Sequence, residues 1–350
     1  MKHEPIRPVR EFIGSLADLG TLLPLTVGLI ACNGVRPGPA LVLLGITYIL
    51  TGTYYRLPVP VQPLKAMATI AIATGASVGE IRAGALWMSG LMIALAVSGL
   101  AQKLNAVFPR VLIRGLQLGI GLMMIRAGAK LALAWGDSLG TVVIGAHGVS
   151  ATPGSLGLAP SGAEFWRALP LLVIPQLPLT VGNAVLATRD CALSYFGPAG
   201  ERVTPRRLAA TIGLANLAAG LTGGVPVCHG AGGMTAHYSL GARTGLACAM
   251  IGSALLVTGI AAGGSMASAL AAMPAWVLGV LLAYVGVRHA ALARDAFGNA
   301  TDASTVLLVG VVGLTSGNLM AALGIGLALR LMLRIPAARG VKQRFVDRSR

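Results

Sequence analysis

The sequence Leu23-Pro24-Leu25-Thr26-Val27-Gly28 occurs a second time, letter for letter, at positions 177–182. Each copy lies in an apolar stretch, and each is followed by a shared Val-Pro-Val, at 59–61 and at 225–227. Two matching stretches in the same order indicate an internal repeat. Proline-broken apolar segments at corresponding places in two halves of a chain are typical of membrane proteins whose site lies between repeats.

The composition indicates a helical membrane protein. Of the 350 residues, 55% are hydrophobic and only 11% are charged, and the mean hydropathy is +0.78. The apolar runs are continuous, which argues against a β-barrel, and they are long enough to cross a bilayer as helices, which takes about 20 residues. We therefore predict an all-α polytopic membrane protein with about 12 membrane segments, two of them half-helices.

The apolar runs divide the chain into four parts. Residues 1–134 form a first repeat of about five membrane segments, and residues 135–167 form a polar linker. Residues 168–334 form a second repeat of about seven segments, and residues 335–350 form a basic tail. Because an odd number of segments precedes the linker, the second repeat enters the membrane from the opposite side. The two repeats are therefore predicted to be inverted.

Basic residues are in excess, with 27 Lys and Arg against 11 Asp and Glu and a net charge of +16. In a membrane chain this excess is expected on the cytoplasmic side and requires no nucleic-acid partner. With the N-terminus inside, 20 basic residues are cytoplasmic, five are outside, and Lys65 and Arg114 lie at membrane depth. We predict an integral protein of a plasma membrane, such as the bacterial inner membrane, with both termini cytoplasmic.

The first broken segment is Val59-Pro60-Val61-Gln62-Pro63-Leu64-Lys65. Its prolines exclude a continuous helix, but Pro63 suits the first position of a new one. This predicts an extended piece at membrane depth, followed by a half-helix to about Gly75. The first amides, on Leu64, Lys65 and Ala66, would have no partner in the chain, and they favour an anion together with the helix dipole. Lys65 either serves that anion or reaches to the membrane surface.

The second broken segment runs from 225 to 233 and contains three glycines, which let a backbone approach a ligand closely. His229 could donate to a ligand, carry a coupled proton, or simply be hydrogen-bonded. Asp18, in the first helix, could pair with Lys65, take up a proton, or cap its own helix. Two amides at membrane depth, Gln176 and Asn183, could donate to an oxyanion or bridge helices.

The sequence gives little support for an enzymatic site or a metal site. Cys228, His229 and His237 lack the spacing of metal ligands, and no phosphate-binding loop is present. Cys228 and His229 are adjacent in sequence and are not expected to face each other as nucleophile and base. We predict no metal, no cofactor and no enzymatic activity.

Four stretches resemble the molybdate transporter family, which is related to the sulfate permease superfamily. They are residues 17–25 (ADLGTLLPL), 58–66 (PVPVQPLKA), 175–183 (PQLPLTVGN) and 224–233 (GVPVCHGAGG). The resemblance implies the uracil-permease fold, in which two inverted seven-helix repeats form a core and a gate domain. In that fold the third and tenth helices begin with short strands, and the substrate binds between their starts. Fourteen spans are implied, so the linker would replace two gate helices.

The predicted function is therefore that of a secondary carrier that imports a tetrahedral oxyanion, molybdate or sulfate. The alternative is a related carrier of another small anion or of a nucleobase. Coupling to protons through Asp18 or His229 is left open, as is a homodimer. The predicted substrate-binding residues are Gln62, Leu64, Lys65, Ala66, Gln176, Asn183, His229, Gly230, Ala231 and Gly232.

Overall fold

The computed structural model describes residues 7–100, 109–133, 159–271 and 274–346. The helices of the first half are α1 (Pro8–Ser15), α2 (Leu19–Asn33), α3 (Pro37–Tyr55), α4 (Lys65–Thr74), α5 (Val78–Ser98) and α6 (Arg110–Leu133). Those of the second half are α7 (Gly162–Ala168), α8 (Ile174–Leu179), α9 (Thr188–Phe196), α10 (Pro205–Thr222), α11 (Ala231–Ser239), α12 (Leu246–Ala271), α13 (Ala275–Ala290), α14 (Ala300–Ser316) and α15 (Leu319–Val346). Two short strands precede the half-helices, β1 (Gln62–Pro63) before α4 and β2 (Val227–Cys228) before α11.

The described residues include five helical stretches long and apolar enough to cross a membrane. They are Pro8–Asn33, Val78–Ser98, Arg110–Leu133, Gly162–Arg202 and Trp276–Ala296. Shorter apolar helices add to these, and the predicted all-α class with two half-helices is confirmed. The count of about 12 segments is not confirmed. Helix α7 starts at Gly162, inside the range predicted as linker, while positions 134–158 lie outside the described residues.

The two strands pair with each other at the centre of the fold. They run antiparallel, with Gln62 opposite Cys228 and Pro63 opposite Val227. Because the strands are antiparallel, the half-helices that follow them leave in opposite directions. The broken segments therefore form one paired unit, which we call the strand pair.

The strand pair also shows which positions of the two repeats correspond to each other. Helix α4 begins at Lys65, five residues after Pro60, and α11 begins at Ala231, five residues after Pro226. The N–H of Leu64 donates to the carbonyl of Pro226 over 2.9 Å. Each repeat thus contributes one strand and one half-helix, as expected for inverted repeats whose shared site lies at the junction.

Glycines seven residues apart bring α3 and α12 into backbone contact. A Cβ on Gly45 would lie 2.6 Å from the carbonyl oxygen of Gly252, and a Cβ on Gly252 would lie 2.7 Å from that of Gly45. One heptad along, Gly52 faces Gly245 in the same way. Since lipid provides no hydrophobic force between helices, such close packing of small residues is a main source of association.

The same arrangement joins α6 to α13, where Gly121 faces Gly286 and Gly128 faces Gly279. Helix α6 also packs against α14 and α15, and we call these four helices the gate group. The remaining helices, with the strand pair, form the core group. The groups meet where Ile113 of α6 approaches Gly182, and where Leu282 of α13 approaches Gly28.

Substitution of Gly252 by Ala should destabilise the fold. The new methyl group would meet the backbone of α3, and overpacking of this kind costs about 1–3 kcal/mol. The matched control is Gly90→Ala in α5, where nothing lies within 4 Å of the new Cβ. There the better helix propensity of alanine should leave stability unchanged or raise it by about 0.5–1 kcal/mol. The measurement is the temperature at which purified protein in detergent loses half its monodisperse fraction, and equal temperatures for both variants would contradict the packing argument.

Candidate anion-binding site

The extended backbone at the strand pair obtains its hydrogen bonds from side chains. In α10, the Asn216 amide nitrogen donates to the carbonyl of Val227 over 2.6 Å, and its oxygen accepts from the N–H of Val227 over 3.1 Å. In the extended segment before β1, the Cys248 thiol donates to the carbonyl of Val59 over 3.2 Å. In an apolar interior, unpaired backbone groups are costly. The Asn216 side chain therefore pairs with both backbone polar groups of Val227, as the backbone of a neighbouring strand would.

The start of α4 is capped from within the protein. The side-chain oxygen of Gln176 accepts from the N–H of Ala66 over 2.8 Å and from that of Met67 over 3.1 Å. Its amide nitrogen donates to the hydroxyl of Thr180 over 2.9 Å. The expectation that the amides of Leu64, Lys65 and Ala66 have no partner in the chain is wrong for Leu64 and Ala66, which donate to the carbonyl of Pro226 and to Gln176. The N–H of Lys65 has no acceptor among the described residues.

The start of α11 is open. The N–H groups of Ala231, Gly232 and Gly233 have no hydrogen-bond acceptor within the described ranges. Gly232 is exposed, with nothing within 4 Å of the position of a Cβ, and Ala231 is half-buried. Free amides at a helix start, together with the helix dipole, favour a negative charge. The two half-helices therefore differ: one is capped by the protein and the other presents free donors.

Lys65 reaches from the first half-helix to the start of the second. Its ammonium lies 3.6 Å from the position that a Cβ would occupy on Gly230, the residue that caps α11. Gly230 is buried, so the alternative in which Lys65 extends to the membrane surface does not describe this structure. Among the described residues, no carboxylate lies within ion-pair distance of Lys65. A half-buried ammonium without a counterion is costly, and an anion would satisfy it.

Gln62 lies at the same place and is held by Asp18. The Gln62 amide nitrogen donates to one carboxylate oxygen of Asp18, and the hydroxyl of Tyr48 donates to the other over 2.7 Å. Of the three roles open to Asp18, neither the pair with Lys65 nor a helix cap is present in the described chain. The Gln62 oxygen lies 2.7 Å from the position of a Cβ on Gly230.

His229 is fully engaged by the protein. Its Nδ1 donates to the carbonyl of Pro60 over 2.8 Å, and its Nε2 lies 2.8 Å from the hydroxyl of Thr211. The hydroxyl of Tyr55 lies 2.9 Å from that of Thr211, which extends the network. This geometry corresponds to the simply hydrogen-bonded histidine, and it leaves no ring nitrogen for a ligand.

The structure brings together one group of the predicted residues, namely Gln62, Lys65, Gly230, Ala231 and Gly232. The polar groups of a second set, Leu64, Ala66, Gln176 and His229, are paired within the protein. Asn183 is half-buried and lies two turns after Gln176, and its side chain forms no hydrogen bond with the described residues. The sequence analysis missed Tyr48 and Asn216, although a lone amide in an apolar helix is a signal for Asn216.

Replacement of Asn216 by Leu should lower stability by a few kcal/mol. It leaves the N–H and the carbonyl of Val227 buried without partners, and each such group costs about 1–3 kcal/mol. The control is Thr222→Val on the same helix, whose exposed hydroxyl bonds only to its own helix. Thermal loss of monodisperse protein in detergent is the measurement. If both variants lose it at the same temperature, Asn216 does not support the strand.

Known proteins are related to this chain in sequence. Residues 10–124 and 168–288 match the profile of a family described as "Molybdate transporter of MFS superfamily". The chain is 29% identical to molybdate transporter 1 of Arabidopsis thaliana, covering 87% of this chain and 84% of that protein. It is 26% identical to molybdate transporter 1 of Chlamydomonas reinhardtii, covering 81% of this chain and 83% of that protein.

Solved structures show the same fold at low sequence identity. The transmembrane domain of a cyanobacterial bicarbonate transporter superposes with a TM-score of 0.64 at 17% identity, covering 90% of this chain and 97% of that one. Murine solute carrier 26 family member A9, an anion transporter in the inward-facing state, also gives 0.64, at 13% identity over 96% and 69%. This likeness confirms the predicted fold class. The family profile covers more than half of this chain. The chain therefore belongs to the molybdate transporter family and is an integral membrane transporter rather than an enzyme.

Proposed function

We propose that this protein is a secondary carrier that imports a tetrahedral oxyanion, molybdate or sulfate. The names of the Arabidopsis and Chlamydomonas relatives favour molybdate. The observation that carries the proposal is the Lys65 ammonium, which lies at the open start of α11 without a carboxylate partner in the described chain. A half-buried positive charge beside free amides is an arrangement that a bound anion stabilises.

The donors of the proposed site come from both repeats. Lys65 supplies a full charge from α4, while Ala231, Gly232 and Gly233 supply amide N–H groups from α11. Each half-helix adds roughly +0.5 at its start through the helix dipole. A tetrahedral oxyanion has acceptor oxygens pointing in several directions, so it can accept from both half-helices at once. Gln176 keeps α4 aligned by holding its first amides.

Transport is proposed to occur by movement of the core group against the gate group. All the donors belong to the core group, so they would move together with the anion. The groups meet at Gly28 and Gly182, where the absence of a side chain lets Leu282 and Ile113 of the gate group approach closely. Because the sequence has no phosphate-binding loop, an ion gradient is the proposed energy source. A coupled proton is part of the proposal, and Asp18 and His229 are titratable groups beside the site.

The proposed orientation has both termini in the cytoplasm of a plasma membrane, such as the bacterial inner membrane. The distribution of basic residues supports it, because 20 of the 27 would then be cytoplasmic. An excess of Lys and Arg on that side is the general rule for short loops.

Lys65→Met should abolish most uptake while the protein still folds. Methionine keeps the length of the side chain but removes the charge, and a hydrogen bond to a charged group contributes about 1.5–3 kcal/mol, or roughly 10- to 100-fold in affinity. The measurement is uptake of radiolabelled molybdate, and of sulfate, into proteoliposomes. Lys130→Met is the control, since Lys130 is exposed near the end of α6. Wild-type uptake by well-incorporated Lys65→Met would remove Lys65 from the site.

Gln176→Glu should weaken anion binding. The carboxylate would lie at the start of α4 and repel the incoming anion, so uptake should fall at least about tenfold. Gln176 is buried, and the cost of burying a charged carboxylate exceeds the roughly 0.3–1 kcal/mol gained from a negative charge at a helix start. The thermal midpoint should therefore fall below that of the wild type, and uptake is compared at equal incorporation into proteoliposomes. Normal uptake by Gln176→Glu under these conditions would place Gln176 away from the anion.

A further inference from the structure

A hydrogen-bond acceptor faces a site that is otherwise built from donors. Gln62 is 1% exposed, and its side-chain oxygen has no hydrogen-bond partner among the described residues. Two groups lie close to the position that a Cβ would occupy on Gly230. The Gln62 side-chain oxygen is 2.7 Å from this position, and the Lys65 ammonium is 3.6 Å from it. Such a buried and unpartnered atom calls for an explanation, because burial of an unsatisfied polar atom is costly.

Asp18 determines which end of the Gln62 amide faces the site. An ionised carboxylate only accepts hydrogen bonds, and both Asp18 oxygens already accept, one from the Gln62 amide nitrogen and one from the hydroxyl of Tyr48. Rotation of the amide by half a turn would place its oxygen against a carboxylate oxygen. The hydrogen-bond network therefore assigns the nitrogen to Asp18 and the oxygen to the site.

We infer that the site binds its oxyanion in a hydroxyl-bearing, singly protonated form whose O–H donates to the side-chain oxygen of Gln62. The inference rests on the proposed function, and it specifies the protonation state of the cargo. A fully deprotonated oxyanion carries only acceptors and would leave two oxygens facing each other in a buried place. A protonated one satisfies Gln62 with its hydroxyl and satisfies Lys65 and the amides of α11 with its other oxygens.

The proton then travels on the cargo. One oxygen of the anion takes up a proton from water on the outer side, the O–H bond persists while the hydroxyl donates to Gln62, and the proton returns to water inside. One proton accompanies each anion, and no side chain changes its protonation state. The titratable and charged groups around Gln62 come from five elements and are Asp18, Tyr48, Lys65, Cys228, His229 and Cys248.

Asp18→Asn provides the transport test. The new amide can accept from Tyr48 and donate to the Gln62 oxygen, so Gln62 turns over and presents its nitrogen to the site. In the wild type, each decrease of one unit in external pH should raise molybdate uptake at fixed concentration about tenfold, as long as the pH stays above the pKa of the anion. The reason is that the protonated fraction of the anion rises about tenfold per pH unit in this range. In the variant this dependence should be lost. Tyr48→Phe, which leaves the pair of Asp18 and Gln62 in place, should retain it.

Binding to purified protein tests the inference without transport. Bicarbonate and nitrate are planar monoanions of similar size, and only bicarbonate carries a hydroxyl. The wild type should bind bicarbonate about tenfold or more tightly than nitrate, because one hydrogen bond is made and one buried acceptor is satisfied. Asp18→Asn should remove or reverse this preference. If Asp18→Asn does not fold, Gln62→Met removes the same acceptor and should give the same loss.

The outcomes separate the inference from the proposed function. Molybdate uptake without pH dependence, together with equal affinity for bicarbonate and nitrate, would overturn the inference and leave the carrier function intact. A preference for bicarbonate that disappears in Asp18→Asn, in a protein that transports neither molybdate nor sulfate, would support the role of Gln62 and overturn the proposed cargo. A pH dependence that survives in Asp18→Asn would assign the proton to another group and overturn the inference.

Discussion

The antiparallel pairing of β1 with β2 is the contact on which the rest of this structure depends. Two extended segments interrupt helices in an apolar interior, where every backbone N–H and carbonyl must find a partner. They satisfy this requirement by bonding to each other and to side chains such as Asn216 and Cys248. Because the pairing is antiparallel, it also places the starts of α4 and α11 side by side and sends the helices in opposite directions.

The electrostatic character of the site follows from an asymmetry between the two half-helices. At α4 the protein supplies its own acceptor, the side-chain oxygen of Gln176, so the N–H groups of Ala66 and Met67 are satisfied without a ligand. At α11 no such acceptor exists within the described part of the chain, and Lys65 adds a charge at that place. A symmetric pair of capped helices would have no need of an anion. This asymmetry is the reason why we propose that an anion binds at the junction.

Around this centre, two pairs of helices pack with their backbones in close contact. The seven-residue spacing of Gly45 and Gly52, matched on α12, allows two helices to lie in contact along two turns. The same device recurs between α6 and α13, which belong to the gate group. Each group is thus held together by close contacts of its own. The two groups meet over fewer close approaches, which is consistent with relative movement between them.

The sequence by itself determined the membrane class, the internal repeat, and the two half-helices, because proline geometry and hydropathy are local properties. It also predicted Lys65 as a site residue, since a lysine after a proline-broken apolar segment is conspicuous. Only the tertiary structure decided which polar atoms already have hydrogen-bond partners within the protein. Gln176 reaches α4 across about a hundred residues of chain, and His229 bonds to Pro60 of the other repeat. No local pattern encodes such pairings, because they arise where inverted repeats bring distant polar groups together in an interior that leaves few of them unpaired.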